Sequence, residues 1–229
     1  MVDIHTHILP FVDDGSDKIE KSVALLKEEA SIGVTDVILT PHLRKGTCVL
    51  SNDEIRKEFD RFTALPEVKE VGVRLHLGRE IEIYKKMVSD FEKGDVIAVG
   101  GKFVLIELRY ADPVDLDELT YTVKLVGYVP IIAHIERFFY ARNVKLVEKI
   151  KASGALIQVN AQSIVDKSNK AEYAFAKKLI RRKLVDFVAS DVHYGRKNVL
   201  KAAYDKVAKK DIVYADAVFT KNAEKYLCK

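Results

Sequence analysis

Five of the six histidines in this 229-residue chain stand where an apolar run ends, and four carboxylates hold equivalent places. His5 and His7 close Val2-Asp3-Ile4, His42 closes the run from Thr35 to Pro41, and His134 closes the run from Val129 to Ala133. Asp191 and His193 follow the run from Val185 to Ser190, Glu80 ends the run from Gly72 to Arg79, and Glu107 ends the run from Lys102 to Ile106. Residues two apart on a strand share a face, so His5 with His7, and Asp191 with His193, form pairs able to hold one ion together. The fourth carboxylate comes from the turn Asp13-Asp14-Gly15. Chemistry alone does not separate Asp13 from Asp14, since either can cap the helix that follows.

Carboxylates crowded at inward-facing strand ends repel one another and are expensive to desolvate, and divalent ions resolve that conflict. At three protein ligands per open site, with one carboxylate bridging, nine imidazole and carboxylate donors suit about three ions. The ions' charge outweighs that of the four carboxylates, so such a centre attracts a phosphate dianion. His76 lies inside an apolar run four residues before Glu80 and is read as a core or helix-facing histidine instead.

These donors converge only if the strands that carry them point the same way. Apolar runs near residues 2–5, 35–40, 71–79, 103–107, 129–133, 155–159 and 185–190 have little polar alternation, as buried parallel strands do. Between them lie amphipathic stretches expected as helices: Asp17–Ile32, Ser51–Leu65, Asp115–Leu125, Val144–Ser153, Lys170–Lys183 and Asn198–Ala208. Ser51 with Glu54 reads as a capping box, and Gly33 as a helix stop. Strand then helix, repeated without a break in composition, predicts a single domain over residues 1–229 built as an α/β barrel, with an open doubly wound sheet as the alternative. In a barrel, the C-terminal strand ends form one face.

The bulk numbers exclude other classes. With 48% hydrophobic residues the chain holds enough apolar material for one large core. No run reaches the roughly 18 apolar residues of a membrane span, and no signal peptide is visible, so no membrane insertion is expected. Cys48 and Cys228 make no disulfide framework, which suits a reducing cytoplasm. A net charge of +4 with interspersed signs implies no nucleic-acid footprint. Lys197, Lys201, Lys206, Lys209 and Lys210 are expected on a solvated helix face. Neither cysteine begins a Cys-x5-Arg phosphate loop, Asp115-Leu116-Asp117 follows no buried strand and reads as a helix start, and no Walker loop or nucleophile elbow occurs.

His5-x-His7, the Asp-Asp-Gly turn, Thr40-Pro41-His42, Gly78-x-Glu80, Glu107, His134-x-Glu136-Arg137, Val159-Asn160-Ala161 and Ser190-Asp191-x-His193 together resemble the polymerase-and-histidinol-phosphatase (PHP) superfamily. Within it the chain is similar to the CpsB-type bacterial protein-tyrosine phosphatases of capsule and exopolysaccharide gene clusters. The resemblance implies a distorted seven-stranded (β/α)7 TIM-like barrel and a trinuclear, typically manganese, site, with Fe, Zn, Co or Mg as other metals suited to mixed imidazole and carboxylate donors. On that resemblance His5, His7, Glu80 and Asp191 hold the first ion. Glu80, Glu107 and His134 hold the second, and Asp14, His42 and His193 the third. The chain departs from the pattern at Leu43, Arg79 and Arg109; none is a ligand position, and each bears on substrate contacts.

The expected chemistry is hydrolysis of phosphotyrosine on a protein, with a bacterial tyrosine kinase as the partner the resemblance implies. Water bridging two ions has its pKa lowered from about 15.7 towards neutrality and attacks phosphorus in line. Arg137 is expected to present a bidentate fork to the phosphoryl oxygens, with Arg44 and Arg109 as further substrate-binding candidates. A tyrosyl leaving group, pKa about 10, needs little help from an acid. The alternatives are a small-molecule phosphoesterase such as a histidinol phosphatase, and a mainly regulatory kinase-binding partner.

Overall fold

The structure, a computed structural model, describes residues 1–228. Its strands are β1 (Val2–Thr6), β2 (Asp36–Leu39), β3 (His42–Leu43), β4 (Arg74–Leu77), β5 (Glu80–Glu82), β6 (Phe103–Glu107), β7 (Val129–Ile132), β8 (Leu156–Asn160) and β9 (Phe187–Ala189). The helices are α1 (Ile19–Ser31), α2 (Asn52–Ala64), α3 (Pro66–Lys69), α4 (Met87–Glu92), α5 (Leu116–Leu125), α6 (Val144–Ala152), α7 (Ala161–Val165), α8 (Lys170–Arg181), α9 (Leu200–Ala208), α10 (Ile212–Asp216) and α11 (Asn222–Tyr226). All strand pairs are parallel.

The nine strands make seven staves, because two staves are broken. β1-β2-β4 form one sheet and β3-β5-β6-β7-β8-β9 the other. β3 continues the stave of β2 beyond Thr40-Pro41, and β5 continues that of β4 beyond Gly78-Arg79. Pro41 has no N–H to give the ladder. Gly78 is forced by close approach: a Cβ there would meet Val99 Cγ2 at 2.5 Å. Glu80 N still reaches Pro41 O at 3.2 Å, so the staves stay paired across the breaks. The ring closes where Asp191 N donates to His5 O (2.9 Å) and His7 N to Val192 O (3.0 Å). That closure rules out the open sheet and makes the architecture a distorted TIM-like barrel.

Inside the barrel, Val2, Ile4, Ile38, Leu105, Ile131 and Phe187 form an apolar plug, sealed at the N-terminal end by Ala223 of α11 and by Leu227. A second, larger cluster lies between staves and helices. The six helices expected from periodicity are present with shifted ends. α2 opens with the Ser51–Glu54 capping box, and Asp115, Asn143 and Asn169 cap α5, α6 and α8 through side-chain oxygens. The short α3, α4, α7, α10 and α11 carry too few turns for a periodic signal. Among the described residues, no helix is long and apolar enough to cross a membrane.

Candidate metal centre

β1 would normally alternate faces, so Val2 and Ile4 could not point inward together with His5 and His7. The register shifts between Asp3 and Thr6, and this bulge-like irregularity turns both pairs towards the barrel axis. Two other strand ends use strained backbone. His134 (φ 30°) and Asp191 (φ 55°) lie in the left-handed region, which costs a non-glycine residue on the order of 1 kcal/mol and is tolerated where the fold over-determines it.

All nine candidate donors meet at the C-terminal mouth. His5 Nε2 lies 3.2 Å from Glu80 Oε2 and 3.6 Å from Asp191 Oδ1, and His7 Nε2 lies 3.3 and 3.4 Å from the same two atoms. His134 Nε2 is 2.9 Å from Glu80 Oε1 and 3.8 Å from Glu107 Oε1. Asp14 Oδ1 is 3.4 Å from His193 Nε2 and 3.6 Å from His42 Nε2. Glu80 is central, with both oxygens facing imidazoles. His42 links the groups: its Nδ1 is 2.8 Å from Glu80 Oε2 and 3.8 Å from Glu107 Oε2, while its Nε2 faces Asp14.

The donors fit divalent ions on their own chemistry. His5 Nε2 and His7 Nε2 face each other at 3.2 Å, an approach of two ring nitrogens that a shared cation relieves. His42 Nδ1, Glu80 Oε2 and His134 Nδ1 are buried without a directed hydrogen bond; the first two lie close together but misaligned for one. Burial opposes charge on His5 and His7, yet the carboxylates of Glu80 and Asp191, with Asp13 at His7, outweigh it and raise both imidazoles' pKa, that of His7 strongly. Burial likewise favours the neutral form of Asp191, and the surrounding histidines, His5 foremost, overcome it and lower its pKa.

A layer of polar side chains aims these donors. Asp13 Oδ2 accepts from His7 Nδ1 (2.8 Å) and from His42 N (3.0 Å), leaving His7 Nε2 for the centre. The neighbouring carboxylates thus divide the work: Asp14 faces the centre and Asp13 holds its histidines. Gly15 seats the turn against β1, where a Cβ would lie 2.0 Å from His7 O. Gln158 Oε1 lies 3.2 Å from His5 Nδ1 and accepts from His134 N at 2.7 Å, and Asn160 Nδ2 donates to Asp191 Oδ2 at 2.8 Å. Gln158 was missed in the sequence. Its signal is the same i, i+2 spacing, two amides facing inward on an otherwise apolar β8.

The arginines separate. Arg137 Nη1 is 3.5 Å from Asp191 Oδ2, and its Nε donates to Tyr110 Oη at 2.9 Å, so the guanidinium stands at the rim of the centre. With Asn160, Ser163, Asp191, Arg196 and Lys197 it lines a cavity of about 340 Å³. Arg44 donates to Glu107 Oε2 (2.9 Å) and pairs with Glu82 (2.9 Å), placing it on a candidate ligand. Arg109 pairs with Glu82 and Asp112 (3.1 and 3.0 Å) and is not brought to the nine donors. Arg79 is buried behind His42 and donates to Leu50 O, His42 O and Asn52 Oδ1. His76 pairs with Asp36 at 3.0 Å, away from the centre.

A closed parallel barrel with a buried imidazole and carboxylate centre at its C-terminal mouth defines a metal-dependent α/β-barrel enzyme. The family model described as "Capsular polysaccharide synthesis, CpsB/CapC" matches residues 1–228, and the chain belongs to that family. The tyrosine-protein phosphatase CpsB of Streptococcus pneumoniae is 32% identical over 222 residues, covering 92% of this chain and 90% of that protein. The tyrosine-protein phosphatase YwqE of Bacillus subtilis is 31% identical over 196 residues, covering 84% and 77%. Among solved structures, one from a study of YwqE and CpsB as metal-dependent tyrosine phosphatases superimposes with TM-score 0.89 at 29% identity, covering 100% of this chain and 94% of that one. Histidinol phosphate phosphatase of Lactococcus lactis shares the fold, with TM-score 0.60 at 14% identity over 92% and 94% of the two chains.

Proposed function

We propose that this chain, as one domain, is a metal-dependent protein-tyrosine phosphatase, with His5, His7, Asp14, His42, Glu80, Glu107, His134, Asp191 and His193 holding about three divalent ions, manganese first among them. The observation that carries the reading is the convergence of all nine donors on Glu80 and its neighbours at the barrel mouth, beside the Arg137 fork. Two relatives named as tyrosine phosphatases, matching 84–92% of the chain, support the tyrosine branch. When bound, the ions supply Lewis-acid charge and water activation near neutral pH.

The chain's own residues do the rest. Arg137, oriented by Tyr110, offers two parallel N–H donors to the phosphoryl oxygens. Asn160, Gln158 and Asp13 fix the donors, so little reorganisation is needed as charge develops. No general acid is assigned, and a phenolate leaving group with pKa about 10 tolerates that. The partner proposed is a bacterial tyrosine kinase of capsule synthesis, and the compartment the cytoplasm.

The test is phosphate release by chelator-stripped protein reloaded with Mn²⁺, on a phosphotyrosyl peptide, the matching phosphoseryl peptide and histidinol phosphate. Turnover of the phosphotyrosyl peptide alone is expected; preference for histidinol phosphate overturns the reading. Arg137→Lys, which keeps the charge and loses the fork, is expected to cut kcat/KM on the phosphotyrosyl peptide about 100-fold with bound metal unchanged. Activity within about twofold of the parent would remove Arg137 from the mechanism.

A further inference from the structure

On the outer wall of the barrel, α8 and α9 leave between them a cavity of about 300 Å³. Its apolar walls are Ile164, Ile180 and Val207 with the rings of Tyr173 and Tyr214, and its rim is cationic: Lys177, Arg181, Lys183, Lys206 and Lys210. Asp211, the one carboxylate in the lining, is taken by Lys183 at 2.7 Å. Lys206 donates to Ile164 O (2.7 Å), and its Nζ stands 4.7 Å over the Tyr173 ring. Among the described residues, Lys177, Arg181, Lys206 and Lys210 have no carboxylate partner within salt-bridge distance. Elsewhere some helical charges are matched, as in Lys21–Asp17 and Lys149–Asp117, and others stand alone; what sets this group apart is that its cations ring one apolar-walled cavity.

Like charges that line one cavity repel, and an anionic visitor relieves that repulsion. Part of the accumulation favours helix C-terminal ends, where cations offset the dipole: Arg181 in the last turn of α8 and Lys210 just past the C-cap of α9; Lys177, before the last turn of α8, gains nothing there. The groove also adjoins the mouth. Ser163 and Glu172 line the cavity beside Asp191, and the next residues, Ile164 and Tyr173, line the groove, so only α7 and the first turn of α8 divide them.

We propose that this groove docks an acidic segment of the phosphotyrosyl protein whose phosphotyrosine enters the centre, an inference that rests on the function proposed above. Charge complementarity names the partner's sign, and shape names its kind. A concave slot with aromatic and aliphatic walls accepts an extended chain carrying Asp or Glu beside apolar side chains, whereas a lipid surface needs cations and apolar groups that protrude. Docking here raises the local concentration of the phosphotyrosine at the centre without touching the reacting atoms.

The test compares a phosphotyrosyl peptide with and without an Asp/Glu-rich extension, on the Mn²⁺-loaded parent and on a Lys177→Glu, Lys210→Glu double variant. A Lys177→Arg, Lys210→Arg pair serves as the charge-keeping control, and thermal melting checks folding. On the parent, the extension is expected to lower KM about 5- to 20-fold at unchanged kcat, an advantage weakened by salt. The charge-reversed variant loses that advantage, the arginine variant keeps it, and para-nitrophenyl phosphate turnover is equal in all three. Equal KM for both peptides on the parent overturns the docking site while leaving the phosphatase intact. No turnover of either peptide overturns the phosphatase reading itself. Binding to phosphatidylserine vesicles that depends on Lys177 and Lys210, with no effect of the extension on KM, reassigns the groove to a membrane surface.

Discussion

Glu80→Gln abolishes turnover of the phosphotyrosyl peptide, with kcat down about 10³-fold, and the purified protein holds fewer metal ions per chain than the parent. The expectation follows from the position of this carboxylate. It is fully buried and lies against His5, His7, His42 and His134 at 2.8–3.3 Å. An amide keeps the shape but carries no charge and turns an N–H₂ towards imidazole nitrogens that need an acceptor or a cation. Loss of activity with full metal content would mean that Glu80 acts otherwise than as a shared ligand. The same geometry sets a pH trend. His7, raised well above the ordinary histidine range by its carboxylates, must shed its proton before Nε2 can bind an ion. Metal affinity therefore falls as pH falls, and apparent affinity for Mn²⁺ measured at pH 6 is weaker than at pH 8.

Arg79→Met lowers the melting temperature by about 6–12 °C, equivalent to about 3 kcal/mol in a chain of this size, and weakens activity although Arg79 touches no substrate. Arg79 is only 1% exposed, and burial pushes its guanidinium down to about 10, so it stays charged at neutral pH. It holds the carbonyls of His42 and Leu50 and the Asn52 side chain, and Asn52 in turn donates to Asp95 at 2.7 Å. Methionine fills the volume and leaves those acceptors unpaired next to a candidate ligand. Lysine, with one ammonium for three divergent acceptors, is expected to recover only part of the loss. A melting point within about 2 °C of the parent would show that the loop after His42 stands without this buried cation.

The donors of the centre were legible because strand ends of a parallel barrel converge and because i, i+2 pairs share a face. His5 with His7 and Asp191 with His193 announce themselves in that way. What positions them was not. The register irregularity after Asp3 depends on pairing with β2, and no pattern within Val2–His7 reveals it. Asp13 and Asp14 are equivalent as letters; only the packing of Gly15 on His7 decides which carboxylate faces the centre. Arg79, a departure that bears on substrate contacts when only the sequence is read, is an anchor for the segment after His42. β3 and β5, past the breaks at Pro41 and Gly78, lie outside the strands expected over 35–40 and 71–79, and α11, which helps seal the barrel, is only five residues long. Arg109 pairs with Glu82 and Asp112 and with none of the nine donors, a choice of partners that its place after Glu107 does not reveal.

The most direct test of the centre is a titration of chelator-stripped protein with Mn²⁺, reading bound metal per chain and phosphotyrosyl-peptide turnover on the same samples. The account predicts that turnover is absent without metal and levels off only when about three ions are bound. Full turnover in the stripped protein, or three ions bound with no phosphate released, would contradict it.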